Sequence, residues 1–155
     1  MSHISNTKLR LDSKEAVVRM CQLLPELFTF RDRKTFKSYG HANWKCDFAI
    51  SVAGANYEVG FEKQSDGTLK PLVDWWSSGG LRKALDGEEM PVLMKGYNVA
   101  KTALESERLG YTTALAHMPN GKYKMLVTKN QNKHKFGWKT ALKKLATGRI
   151  LGGNS

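Results

Sequence analysis

The eight residues Lys45-Cys46-Asp47-Phe48-Ala49-Ile50-Ser51-Val52 alternate without interruption. Cys46, Phe48, Ile50 and Val52 take one parity; Lys45, Asp47, Ala49 and Ser51 take the other. A period of two puts these sets on opposite faces of a strand. Such a strand needs neighbours, and the flanks supply them. Ala53-Gly54-Ala55-Asn56 turns the chain, after which Tyr57, Val59 and Phe61 point one way and Glu58 and Glu62 the other. Ser65-Asp66-Gly67 is a second tight hairpin turn. Residues 68–73 return as a strand in which Pro71 implies an edge or an interruption. Upstream, residues 28–39 read as one strand carrying Arg31, Arg33, Lys34 and Lys37, interleaved with Phe28, Phe30, Phe36 and Tyr39, and a Gly40-His41-Ala42-Asn43 turn follows. Residues 28–73 are therefore expected to form an antiparallel meander with one buried face.

Helices flank the meander. Residues 3–11 offer a first strand of partial alternation. Asp12 is placed as a helix N-cap with Glu15 completing a capping box. Val17, Met20, Cys21 and Leu24 then follow at helical spacing, and Pro25 ends the run. After Asp74-Trp75-Trp76, the Ser77-Ser78-Gly79-Gly80 break leads to a short helix over 81–85. A second long helix is expected over about 94–109, with Tyr97, Ala100 and Leu104 as its stripe and Gly110 as its C′ residue. Residues 111–116 and 123–128 form a hairpin around Pro119-Asn120-Gly121. The class is α+β: an antiparallel sheet, as meander plus C-terminal hairpin, with two main helices on one face.

Beyond residue 128 the composition changes. Residues 130–135 hold no apolar side chain, and Trp138, Ala141, Leu142 and Leu145 stand at helical spacing with Lys139, Lys143 and Lys144 beside them. This reads as a flexible link, then a short basic amphipathic helix. The organisation expected is a compact domain over 1–128 and a basic extension over 129–155.

Charge is distributed unevenly. The chain carries 25 Lys and Arg against 14 Asp and Glu, a net +11. Residues 108–155 hold Arg108, Lys122, Lys124, Lys129, Lys133, Lys135, Lys139, Lys143, Lys144 and Arg149, and the last acid in the sequence is Glu107. A one-signed segment attracts polyanions. The tail lysines are interleaved with His134, Phe136 and Trp138, which offer stacking faces, and Arg31, Arg33, Lys34, Lys37 and Lys45 form a second basic stretch with Phe36, Tyr39 and Trp44. The bland alternative is a solvated lysine face that only confers solubility, and Trp138 has a bland reading as a docking residue.

Enzyme chemistry finds no constellation. His3, His41, His117 and His134 are scattered, Cys21 and Cys46 do not form Cys-x-x-Cys, and Gly79-Gly80 lacks the residues of a phosphate loop. Asp47, Asp66 and Asp74 are accounted for by strand parity and turn chemistry as well as by a metal. No catalytic residue, metal or cofactor is expected. The chain has no apolar run long enough to span a bilayer and no secretory signal, so a reducing, cytoplasmic setting with buried free thiols is expected.

The blocks Met1-Ser2-His3, Asp47-Phe48-Ala49-Ile50, Tyr57-Glu58-Val59-Gly60-Phe61, Asp66-Gly67 and Leu72-Val73-Asp74-Trp75-Trp76, with the later Gly110-Tyr111 hairpin, occur in a familiar order. Over about residues 1–128 the chain resembles a family first catalogued as a hypothetical open reading frame of algal plastid genomes and found also in cyanobacteria and phages. The resemblance implies a compact α+β domain and brings no biochemical activity with it. Its matched residues read as structural: Gly60 and Gly67 for backbone freedom, Trp75 and Trp76 for packing. The basic extension departs from the family pattern.

The function expected from these residues is non-catalytic binding of single-stranded nucleic acid, RNA above DNA, with low sequence specificity. Lysine favours phosphate attraction over base readout. No RRM or KH consensus is present. A protein-interaction module docking through the C-terminal amphipathic helix is the alternative, and an anionic membrane surface ranks below it.

Overall fold

The structure, a computed structural model, describes residues 4–40, 43–120 and 122–129. The elements run β1 (Ile4–Asn6), α1 (Lys14–Leu23), β2 (Phe28–Arg31), β3 (Thr35–Lys37), β4 (Asn43–Lys45), β5 (Phe48–Val52), β6 (Glu58–Lys63), β7 (Leu69–Asp74), a 3₁₀ turn (Ser77–Gly79), α2 (Leu81–Ala84), α3 (Pro91–Arg108), β8 (Tyr111–His117) and β9 (Tyr123–Lys129). The class is α+β, and within α3 the chain divides into two compact units, Met1–Ala100 and Lys101–Ser155.

The first unit is built on an antiparallel five-stranded sheet in the order β1-β7-β6-β5-β2. Phe48 faces Phe61 and Ile50 faces Val59 across β5 and β6, and Phe28 faces Val52 across β2 and β5. All six are buried on one face, with the Phe48 and Phe61 rings stacked at 5.0 Å. Helix α1 buries Ala16, Val17, Met20 and Cys21. A Cβ on Gly96 of α3 would stand 3.1–3.2 Å from Leu24, Met20 and Phe28, so the two main helices and β2 share a tight junction. Pro71 sits where β7 has a partner on one side only. β1 pairs no further than Leu72, and the outer side resumes at the Leu11–Leu69 bridge.

Several expectations are corrected. The strand expected over residues 45–52 starts at Phe48: Lys45 belongs to β4, and Cys46, expected on the face of Phe48, packs on the opposite one with Phe36, Ala49 and Leu72. Residues 28–39 are two strands, not one. The Arg33 N–H donates to the Arg31 carbonyl at 3.0 Å, folding the chain back, and β3 pairs with β4 instead of the sheet. The resulting hairpin lies over the sheet's second face, where Phe36, Cys46, Ala49 and Leu72 form a small core of their own. The cap of α1 is Ser13, whose Oγ accepts from the Ala16 N–H at 3.1 Å. Asp12 instead accepts a hydrogen bond from the Tyr97 hydroxyl. Gly60 serves close packing, since a Cβ there would lie 2.4 Å from the Phe36 ring. Helix α3 starts at Pro91, earlier than expected, with the pre-set φ of proline suiting a first helical position. It ends before Gly110, whose φ of +89° matches its expected role.

Tyr97 ties α3 to the α1 entry: its oxygen accepts from the Asp12 and Ser13 N–H groups at 3.0 and 3.1 Å while its proton goes to Asp12. Burial, then the bond to Asp12, pushes its hydroxyl up to about 12. Burial pushes the Cys21 thiol up to about 12 as well, and raises Cys46. Both Tyr97 and Cys21 hold their protons longer in the folded chain than in the unfolded one. Their stabilising contribution is therefore complete below about pH 9 and is lost as pH climbs from 9 towards 12. Urea midpoints measured at pH 8, 10 and 11 should fall in that order. Tyr97→Phe should lower the pH 8 midpoint and flatten the alkaline decline.

The second unit is simpler. β8 and β9 form their own two-stranded sheet in register Tyr111–Lys129 to His117–Tyr123. Ala114 and Leu126 face each other and are buried, with Ala116 against them. The Thr113 hydroxyl donates to Glu107 at 2.7 Å, linking the hairpin to the end of α3.

Candidate nucleic-acid interface

The second face of the five-stranded sheet carries two buried carboxylates. Glu58 on β6 and Asp74 on β7 are almost fully enclosed, and the hairpin that contains β3 is fastened to both. The Lys37 N–H donates to Glu58 Oε1 at 2.9 Å, and the Tyr39 N–H to Asp74 Oδ2 at 3.1 Å. A side-chain acceptor on the sheet thus replaces the ladder partner that a neighbouring strand would supply. Phe36 between them is anchored in the groove above Gly60.

Glu58 gathers cations. Its Oε2 accepts from Arg33 Nη2 and, at 3.2 Å, from the Ser51 hydroxyl, and Arg31 Nε lies 3.9 Å away. Arg31 Nε itself donates to Ser51 Oγ at 2.9 Å. The side chain of Glu58 is 6% exposed, whereas those of Arg31 and Arg33 are 46% and 39% exposed. The carboxylate therefore acts as a buried post that aims two guanidinium groups outward. Together with Lys37, Asn56 and Tyr57 they line a concavity of about 520 Å³. One wall is rigid. The Asn56 and Tyr57 N–H groups both reach the Gly79 carbonyl, at 2.8 and 3.2 Å, and the Tyr57 hydroxyl meets Ser78 Oγ at 3.0 Å.

Asp74 arranges aromatic surface. It accepts from the Trp76 N–H at 3.0 Å as well as from Tyr39. The two rings it anchors meet edge to face with centroids 5.7 Å apart, and they stay 44% (Tyr39) and 41% (Trp76) exposed. Trp75 is buried, as expected; Trp76 is not a packing residue. Trp44 is also exposed.

The sequence-based candidates separate on this framework. Arg31, Arg33 and Lys37 come together at Glu58. Lys34 goes elsewhere: its Nζ donates to the Asp47 carbonyl at 3.1 Å, and it lines a second basic hollow of about 340 Å³ with Lys14 and Lys63. Lys45 is exposed, paired in register with Thr35. Phe36 is fully buried and presents no stacking face. In the second unit, Lys124 shares the parity of Leu126 and is half-buried, whereas Lys129 takes the opposite parity and, like Lys122, is exposed. None of these three makes an ion pair with a described residue. Lys133, Lys135, Phe136, Trp138, Lys139, Lys143, Lys144 and Arg149 lie outside the described residues, as does the amphipathic helix expected there.

Sequence reasoning missed Asn56, Tyr57, Trp76, Lys14 and Lys63. A signal existed for Trp76: adjacent residues at the end of a strand cannot both face the core, so one of Trp75 and Trp76 had to point out.

The three candidate carboxylates are engaged structurally. Asp47 accepts from the Lys63 N–H at 2.6 Å, and Asp66 from the Thr68 N–H and hydroxyl at 2.9 and 2.6 Å, bonds that hold the Asp66 carboxyl below its usual range. Among the described residues no group of three His, Cys, Asp or Glu side chains is placed to hold a metal ion. No helix among them is long and apolar enough to cross a membrane. Comparison of the chain with protein-family models, with curated proteins and with solved structures gives no match.

Proposed function

We propose that the protein binds single-stranded nucleic acid without catalysing a reaction, RNA in preference to DNA and with little sequence selectivity. One observation carries this reading: the hairpin held by two buried carboxylates brings Lys37 to Arg31 and Arg33 around Glu58 and, two residues further on, sets the half-exposed Tyr39 ring against Trp76. Cations neutralise phosphates, and rings accept unpaired bases at about 1–3 kcal/mol per base. Unstacked bases of this kind are typical of single-stranded RNA targets. The acid-free segment after Glu107 adds positive charge in cis and raises local ligand concentration.

The reading predicts a steep salt dependence. Each phosphate neutralised on a single strand contributes a slope of roughly −0.7 in log K against log salt. Fluorescence anisotropy of labelled oligoribonucleotides between 50 and 200 mM salt should give a slope of roughly −3.5 to −5, the value for about five to seven contacts. Affinity unchanged by salt, or no binding to any RNA or DNA strand at the lower concentration, would overturn it.

A further inference from the structure

We propose that the Glu58 concavity is a seat for a terminal phosphate, a phosphomonoester at the end of a strand, and not merely one more backbone contact. The proposal rests on the nucleic-acid reading and narrows it.

Charge is the first argument. Arg31, Arg33 and Lys37 supply three positive charges and Glu58 one negative, leaving +2. A phosphomonoester carries about −1.5 to −2 near neutral pH, whereas an internal diester carries a single charge. The site's surplus matches the former.

Preorganisation is the second. Both Glu58 oxygens are taken, Oε1 by the Lys37 N–H and Oε2 by Arg33 and Ser51, so the carboxylate holds cations in place and offers a ligand little. Arg31 spends Nε on Ser51, and its two terminal nitrogens have no hydrogen-bond partner among the described residues. A guanidinium fixed at one edge with its other donors unspent suits the bidentate grip on a phosphate.

Shape is the third. The Asn56–Tyr57 turn closes one side of the concavity and is packed against the 3₁₀ turn, since the Tyr57 ring lies directly on Gly79, where a Cβ would stand 2.0 Å from it. A chain end fits against such a wall; a continuing backbone must turn away from it. Tyr39, whose ring meets Trp76, stands two residues along the chain from Lys37, roughly 6–7 Å in extended chain. That distance places a ring where the terminal base would lie.

The test compares one labelled decamer in three forms: 5′-phosphorylated, 3′-phosphorylated and hydroxyl-ended. One phosphorylated form should bind about tenfold tighter than the hydroxyl form, the yield of one additional charge-assisted hydrogen bond. Which end gains identifies the polarity of the seat. In Arg31→Gln and Lys37→Gln, whose side chains are exposed and whose folding is checked by melting curves, that ratio should fall towards one. Equal binding of all three forms by the wild-type protein overturns the terminal-phosphate seat and leaves general strand binding standing. No binding of any form overturns both.

Discussion

Truncating Phe36 to alanine is expected to destabilise the protein by about 3–5 kcal/mol, the range for deleting a fully enclosed aromatic ring. The ring is completely buried and fills the groove over Gly60 together with Cys46, Ala49 and Leu72. What distinguishes this position from any core phenylalanine is the identity of the element it anchors. β3 shares no ladder with the five-stranded sheet, so Phe36 and the two carboxylates are its main attachment there. Phe36→Ala should therefore loosen residues 33–39 before the rest of the unit melts. Hydrogen exchange would show this as faster exchange at the Lys37 and Tyr39 amides, with β5 and β6 amides unchanged. Uniform loss of protection across all strands would contradict the separate attachment. The complementary change, Gly60→Ala, fails for the opposite reason, because the new methyl meets the ring. Pairing it with Phe36→Leu should recover part of the loss.

Asp74→Asn is the second substitution of large consequence. The carboxylate is fully enclosed and receives two backbone N–H groups, one on each oxygen. An amide keeps one acceptor and turns a donor toward the other N–H. The expected cost is about 1.5–3 kcal/mol, the range for hydrogen bonds to a charged group. The effect on binding should be separable from the effect on stability. Tyr39 and Trp76 owe their mutual orientation to this residue, so oligoribonucleotide affinity should fall about tenfold under conditions where the variant remains folded, the share of one stacked base. Trp76→Ala should produce the same loss of affinity with little loss of stability, since the ring is exposed. A normal affinity in both variants would remove the ring pair from the interface.

How far the sequence could be read depended on whether a feature was local. The β5 alternation is local and holds over residues 48–52, but not over the whole stretch 45–52: Lys45 belongs to β4, and Cys46 and Ala49, of opposite parity, are buried together beneath the hairpin. The break after Arg31 was invisible because residues 28–31 and 35–37 share the same strand-like composition. What separates them is a groove over Gly60, formed by residues that come later in the chain. Asp12 and Ser13 are both good capping residues; Tyr97, 85 positions away from Asp12, decides between them by engaging Asp12. Glu58 and Asp74 had the parity of solvent-facing residues, and only the overlying hairpin makes them interior. The site followed the same rule. Composition picked out Arg31, Arg33, Lys34 and Lys37 as one basic run, but fold-back at Arg33 sends Lys34 to a different hollow.

The hairpin's mode of attachment has a consequence for how this surface can diversify. Its inward positions, Phe36 and Ser38, and its backbone N–H groups hold it down, while the side chain of Lys37 points outward and that of Tyr39 adds only its edge contact with Trp76. Outward-facing residues can therefore be exchanged without disturbing strand register beneath. A lineage, or a designer, could rewrite ligand preference at these positions and keep the same scaffold.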